Sequence, residues 1–314
     1  MSADLILVGT DGSDEQWQVL KWAIARAAQS RATLKILVAY NLASYTPSGI
    51  EGSYMPLDDG QLREQATETA QKAVDMALRA GVPHVSSEVV PGDPATLLLE
   101  GSEEASMVVI GTQGSSGLAD RLFGAVSATV PSRAKCPVVV VPRFQGGSPY
   151  TPVRRMVVGV DGSDTASTAL RVGIKEAELW NAKLTVASAV PFATGNSLMA
   201  WVPPIIDRAR VIEDIRTGLD VSVDQALEGR QMDVARHVLD GNPAELLAEF
   251  STAVDLIVVG RRGRGGFAGL LLGSTSQTLL AHSTCPVMIV PTVKDAPVSE
   301  NESDTPRKLP WERA

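Results

Sequence analysis

The residues best suited to chemistry are Gly111-Thr112-Gln113-Gly114, then nine residues, then Gly124-Ala125-Val126-Ser127. The same spacing returns as Gly260-Arg261-Arg262-Gly263, nine residues, and Gly273-Ser274-Thr275-Ser276. Glycine permits positive φ at a strand end and lets a backbone N–H approach an anion with no Cβ in the way. A helix opening at Gly124-Ala125 or Gly273-Ser274 offers free N–H groups and a partial positive charge, which suits phosphate. One loop leaving a strand and another entering a helix can together cup a di- or triphosphate. The same glycines could be turn punctuation alone; their recurrence at identical spacing favours the cradle.

The two loops are unequal. Arg261, Arg262 and Arg264 stand where the first loop has Thr112, Gln113 and Ser115, and the first loop carries only Arg121, beside Asp120. Charge-assisted hydrogen bonds contribute about 1.5–3 kcal/mol each, so one guanidinium on a phosphate changes affinity tenfold or more. Ala125 lacks the hydroxyl that Ser274 offers, and Pro131 falls in the helix expected after the first loop, where it should shorten or kink it. Tighter binding is therefore expected in the second half, unless the arginines point into solvent. Asp11 and Asp161 follow the first strand of each half and could assist a divalent ion through water, or simply close an Asp-Gly-Ser turn.

The elements that must position these loops are themselves repeated. ILVGTDGS (6–13) matches MVVGVDGS (156–163), GDPATLL matches GNPAELL, and CPVVVVP matches CPVMIVP. The offset is 150 residues at the start and 149 later, so each copy is a whole domain: 1–142 and 154–292, joined by a Gly/Pro-rich linker at 143–153. Residues 293–314 are polar and read as a disordered tail. Continuous apolar runs at Leu5–Val8, Leu34–Ala39, Ser86–Val90, Met107–Ile110 and Val138–Val141 predict parallel strands buried on both faces. Helical patterns lie between them. The first covers Asp14–Arg31, with Trp17, Leu20, Ile24 and Ala28 on one face. The second covers Gln61–Ala80, with Leu62, Ala66, Ala73, Ala77 and Leu78 available for a buried face. A third starts at Pro94 behind an Asp93 cap, a device repeated by Asn242-Pro243. Alternating strands and helices predict two doubly wound α/β domains with ligands beyond the carboxyl ends of the strands. The fifth strand of each copy is short and bracketed by prolines, which predicts an edge able to pair.

Composition narrows the function. The chain has 314 residues, 44% hydrophobic and 20% charged, and a formal net charge of -8, so nucleic acid is not an expected partner. Two cysteines, Cys136 and Cys285, are too few for a disulfide framework and read as buried packing residues. Neither a signal peptide nor a membrane span is read, so a cytoplasmic setting is expected. There is no Walker pattern, and no Gly-x-Gly-x-x-Gly follows either first strand. His84, His237 and His282 lack metal spacing, and no serine or cysteine has a matched histidine and carboxylate, so no catalytic residue is assigned.

The loop pattern, together with the Asp-Gly-Ser after each first strand, resembles the universal stress protein family in a tandem two-domain form. That resemblance covers 4–142 and 155–291. It implies a Rossmann-like fold related to adenine nucleotide alpha hydrolases, ATP binding (with Mg) at little or no turnover, and a stress-regulatory role read by an unknown partner protein. By the same resemblance, Gly9, Thr10 and Asp11, and Gly159, Val160 and Asp161, border adenine and ribose. Val38-Ala39 and Ala187-Ser188 lie against adenine. Gly111, Gly114, Gly124 and Ser127 hold ribose and phosphates in the first site, and Gly260, Gly263, Gly273, Ser274 and Ser276 in the second. From the residues themselves, Ala125 and Val126 in the first site and Thr275 in the second are further candidates at the helix start, and Arg261 and Arg264 by their charge. Family members dimerise through the fifth-strand edge, so a pseudo-two-fold pair within the chain, and a possible homodimer, are expected. The alternatives are an enzyme acting at the α-phosphate and an interaction module that binds a cyclic nucleotide or none.

Overall fold

A computed structural model of the chain describes residues 4–40, 60–112, 124–143, 146, 149–191, 208–264 and 271–292. The first copy runs β1 (Leu5–Gly9), α1 (Asp14–Ser30), β2 (Thr33–Tyr40), α2 (Gly60–Arg79), β3 (His84–Pro91), α3 (Pro94–Gly101), β4 (Met107–Gly111), α4 (Ala125–Arg133) and β5 (Val138–Val141). The second repeats it as β6 (Arg155–Gly159), α5 (Asp164–Trp180), β7 (Lys183–Val190), α6 (Arg208–Leu227), β8 (Val234–Asp240), α7 (Pro243–Phe250), β9 (Leu256–Gly260), α8 (Ser274–His282) and β10 (Val287–Val290).

The β-branched runs form strands because both faces of each are covered. Val8, Leu34, Val108, Val109, Val138 and Val139 are all fully buried. One core lies under α1, α2, α5 and α6 and runs continuously through both copies; the other lies under α3, α4, α7 and α8. The order within a copy is β3-β2-β1-β4-β5, all parallel, so the chain reverses direction across the sheet between β1 and β4. That is the switch point at which α/β sheets bind ligands. The caps form as the sequence predicts: Asp93 Oδ2 accepts from the Thr96 N–H at 2.9 Å, and Asn242 Oδ1 from the Ala244 N–H at 2.9 Å.

β5 and β10 are the edges of their copies and pair as the sequence predicts: they run antiparallel to each other, Val139 opposite Met288, and join both copies into one ten-stranded sheet. The outer strands are β3 and β8. Two other expectations need correction. On α2 the buried stripe is Ala66, Ala70, Ala73 and Ala77, while Leu62 and Leu78 are 42% and 54% exposed. The small alanines let that helix lie close to the sheet, and the two leucines sit off the stripe. Pro131 lies inside α4, yet α4 and α8 both have nine residues. The proline is placed in the last turn, where a missing N–H breaks only one bond of the helix. Residues 293–314, read as a disordered tail, lie outside the described residues, as do most of the long connections after β2 and β7.

Candidate functional site

In the second copy β6, β7 and β9 end together and their backbones are tied. The Val160 N–H donates to the Ala187 carbonyl at 2.9 Å. Beyond β6 the chain turns at Gly162 (φ 74), and Ser163 caps α5 by accepting from the Ala166 N–H at 3.2 Å. Beyond β9 the Arg261 N–H donates to the Val290 carbonyl at 2.7 Å, and the Gly273 N–H donates to the Arg261 carbonyl at 2.9 Å. The Ser276 hydroxyl donates to the Gly260 carbonyl at 2.9 Å. The two ends of the glycine loop are therefore clamped together. Gly273 caps α8 with no side chain, so the N–H groups of Ser274, Thr275 and Ser276 have no intrahelical acceptor.

A cavity of about 560 Å³ opens at this point, a size usual for small-molecule sites. One part of the lining is apolar: Ala187 and Ala189 on β7, Pro191 just after it, Leu239 on β8, and Leu246 and Leu247 on α7. Another part is polar and carries Asp161, Arg262, Gly263 and the first turn of α8 from Gly273 to Ser276. A cavity that joins an apolar wall to free amides and a cation suits a ligand with a flat apolar end and an anionic tail.

The three arginines of the loop separate. Arg261 turns away from the cavity: its Nη1 donates at 3.3 Å to both the Ser132 and Ala134 carbonyls, at the end of α4 in the other copy. Burial and the neighbouring Arg262 charge lower its pKa. Arg264 folds back on the turn after β6, with its N–H on Asp161 Oδ2 at 2.8 Å and its Nη2 on the Gly162 carbonyl at 2.9 Å. Of the three, only Arg262 lines the cavity, exposed and making no hydrogen bond among the described residues. The assignments of Arg261 and Arg264 to phosphate are thus replaced by domain bridging and loop bracing.

Asp161 is also engaged. Its Oδ1 accepts from the Ser163 N–H at 3.0 Å and hydroxyl at 2.7 Å, and its Oδ2 accepts from Arg264. A carboxylate so supplied with donors braces two loops, and it fits poorly as a metal ligand. A Cβ at position 263 would stand 2.3 Å from Asp161 Oδ2, so any larger residue there must displace that carboxylate. Ser127 and Ser276 are buried, and their hydroxyls donate to loop carbonyls (Ser127 to Thr112 at 2.8 Å), so neither has its proton free for phosphate.

The first copy has the same frame, with the Thr10 N–H on the Leu37 carbonyl at 3.0 Å and the Gly124 N–H on the Thr112 carbonyl at 3.0 Å. Gln113, Gly114, Ser115, Asp120 and Arg121 lie outside the described residues. Register corrects one assignment here. Gly9 pairs with Leu37 and Gly159 with Ala187, so Leu37 is the counterpart of Ala187. Val38 points to the opposite face, into the core beneath α1 and α2. Ala39 keeps the cavity side, as Ala189 does. Bulkier side chains stand at the corresponding positions of the first copy, Leu37 for Ala187 and the buried Gln16 for Ala166. Gln16 Nε2 comes so close to Gly111 that a Cβ there would be 2.7 Å away. Sequence reading also missed the α7 wall, although the repeated GDPATLL and GNPAELL carried its signal.

Cys136 and Cys285 are buried and free, and burial pushes each thiol from the ordinary 9.0 up to about 12. Among the described residues no group of three or more His, Cys, Asp or Glu could hold a metal ion, and no helix is long and apolar enough to cross a membrane.

Comparison with known proteins places this geometry. The model of the universal stress protein family matches residues 3–142 and again 152–291. The chain is 30% identical over 298 residues to universal stress protein Rv2623 of Mycobacterium tuberculosis, covering 90% of this chain and 95% of that one. It is 30% identical over 294 residues to Rv2005c of the same organism, covering 90% and 96%. Among solved structures, a universal stress protein from Archaeoglobus fulgidus superposes with a TM-score of 0.66 at 21% identity, over 93% of this chain and 100% of that one. With two matched domains, one frame in each and relatives of full length, the chain belongs to the universal stress protein family as a tandem two-domain member.

Proposed function

We propose that this protein binds ATP in the second-copy cavity without turning it over productively, and that occupancy sets a surface read by a regulatory partner in the cytoplasm. The observation that carries this reading is the cavity's division into an apolar wall and a wall of free α8 amides with Arg262. Adenine would lie against Ala187, Ala189 and Leu247, and the phosphates would accept from the Ser274–Ser276 amides and from Arg262. Mg²⁺ would travel with the phosphates, because Asp161 is already supplied with donors. Bound ATP would supply charge and shape here. The chain's residues bind and orient it, and no acid, base or nucleophile is assigned to them.

The first copy is proposed as the weaker site. Leu37 and Gln16 are bulkier than their counterparts Ala187 and Ala166 and would narrow it, and Ala125 replaces Ser274.

The test is mass spectrometry of nucleotide co-purifying with the full chain, beside calorimetry with ATP and with cyclic AMP. ATP should be recovered from the wild type. Gly263→Leu, which drives a side chain into Asp161, should lose it. Retention of ATP by that variant, with its fold intact by circular dichroism, would refute the assignment. Preferential binding of cyclic AMP would move the reading to the cyclic-nucleotide alternative.

A further inference from the structure

Beyond β5 and β10, and apart from the Arg261 bridge, the contact of α1 with α5 sets residues of one copy against their own counterparts in the other. Arg26 and Glu176 occupy the same position in α1 and α5, 150 residues apart. They form a bidentate pair, Nε to Oε2 at 2.8 Å and Nη2 to Oε1 at 2.7 Å, with side chains 9% and 6% exposed. One turn on, Gln29 Nε2 donates at 2.8 Å to the carbonyl of Leu179, again its own counterpart. A pseudo-two-fold axis therefore passes between α1 and α5.

At such an axis a pair of identical copies brings each residue against itself. Two first copies would bury Arg26 against Arg26, and two second copies Glu176 against Glu176. Like charges brought together out of water cannot compensate one another, whereas the unlike pair can. We infer that Arg26 and Glu176 make this face heterophilic: it accepts the opposite copy and rejects a second copy of its own kind. The partner it fits is the other half of the chain, or the opposite half of a second chain. The inference goes beyond nucleotide binding and does not rest on it. The unlike charges would keep one first copy and one second copy in every unit.

The experiment uses four full chains: wild type, Arg26→Glu, Glu176→Arg and the double exchange, each followed by urea denaturation and by native mass spectrometry after refolding. Each single variant should unfold at lower urea, and the double exchange should recover most of the loss. An equimolar mixture of the two single variants, refolded together, should yield a one-to-one dimer of chains. In that dimer the glutamate introduced at position 26 of one chain meets the arginine introduced at position 176 of the other. The native Glu176 of the first chain then meets the native Arg26 of the second, and neither variant should form such a dimer alone. Single variants as stable as wild type would overturn the inference. So would a double exchange no better than the singles, or a mixture that stays monomeric while the singles are destabilised.

Discussion

Arg262 is the cation that a phosphate tail entering the second cavity would meet, because Arg261 and Arg264 are held by carbonyls and by Asp161. Arg262→Ala should weaken ATP by about tenfold to a hundredfold, the range of one or so charge-assisted bonds, with unchanged stability. Calorimetry checks it, and an affinity within twofold of wild type would contradict it. Arg264→Ala should act differently, lowering order in the loop before it touches the phosphates. The sequence placed three arginines in this loop but did not say which faces the ligand. That depends on how each backbone turn aims its side chain across a domain boundary, which residue spacing does not encode. Val38 failed for a related reason. A one-residue difference in offset between copies moves a strand residue to the other face of the sheet, and only the Gly9–Leu37 register resolves it.

α7 contributes to the lining of the proposed second site, and α3 is its counterpart in the first copy. Both are capped by one side chain, Asn242 or Asp93, and loss of such a cap costs about 1 kcal/mol. Asn242→Ala should therefore lower both the urea midpoint and ATP affinity, because Leu246 and Leu247 ride on α7. Asp93→Ala should lower the midpoint alone. Equal effects of the two on ATP would argue against the asymmetry of the sites. At this scale the sequence was most legible: strands, caps and the loop-to-helix junction all follow local rules of burial and hydrogen bonding. The fifth strands belong with these: shortness and proline brackets predict an edge able to pair, and the repeat supplies the partner strand.

For the molecule as a whole, one sheet and two cores that each run through both copies join them, so both should unfold together unless the Arg26–Glu176 face is disrupted. Alkaline pH supplies an independent check. Cys136 and Cys285 have folded pKa values raised from 9.0 to about 12, so the neutral thiols favour the folded state below pH 9. That contribution should be lost as pH climbs from about 9 toward 12, since the unfolded chain releases the protons first. Urea midpoints measured from about pH 8 to 11 should fall, and the fall should be shallower in Cys136→Ala/Cys285→Ala. An identical slope in that variant would show that the thiols are not responsible.

The most direct measurement is a calorimetric titration of ATP into the full chain and into Ser274→Asp and Ala125→Asp. Both substitutions put a carboxylate at the first position of a helix, α8 or α4, where it favours the helix and would repel a phosphate placed there. The account predicts one tight site in the wild type, abolished by Ser274→Asp and retained in Ala125→Asp. Tight binding that survives Ser274→Asp and disappears in Ala125→Asp would contradict it.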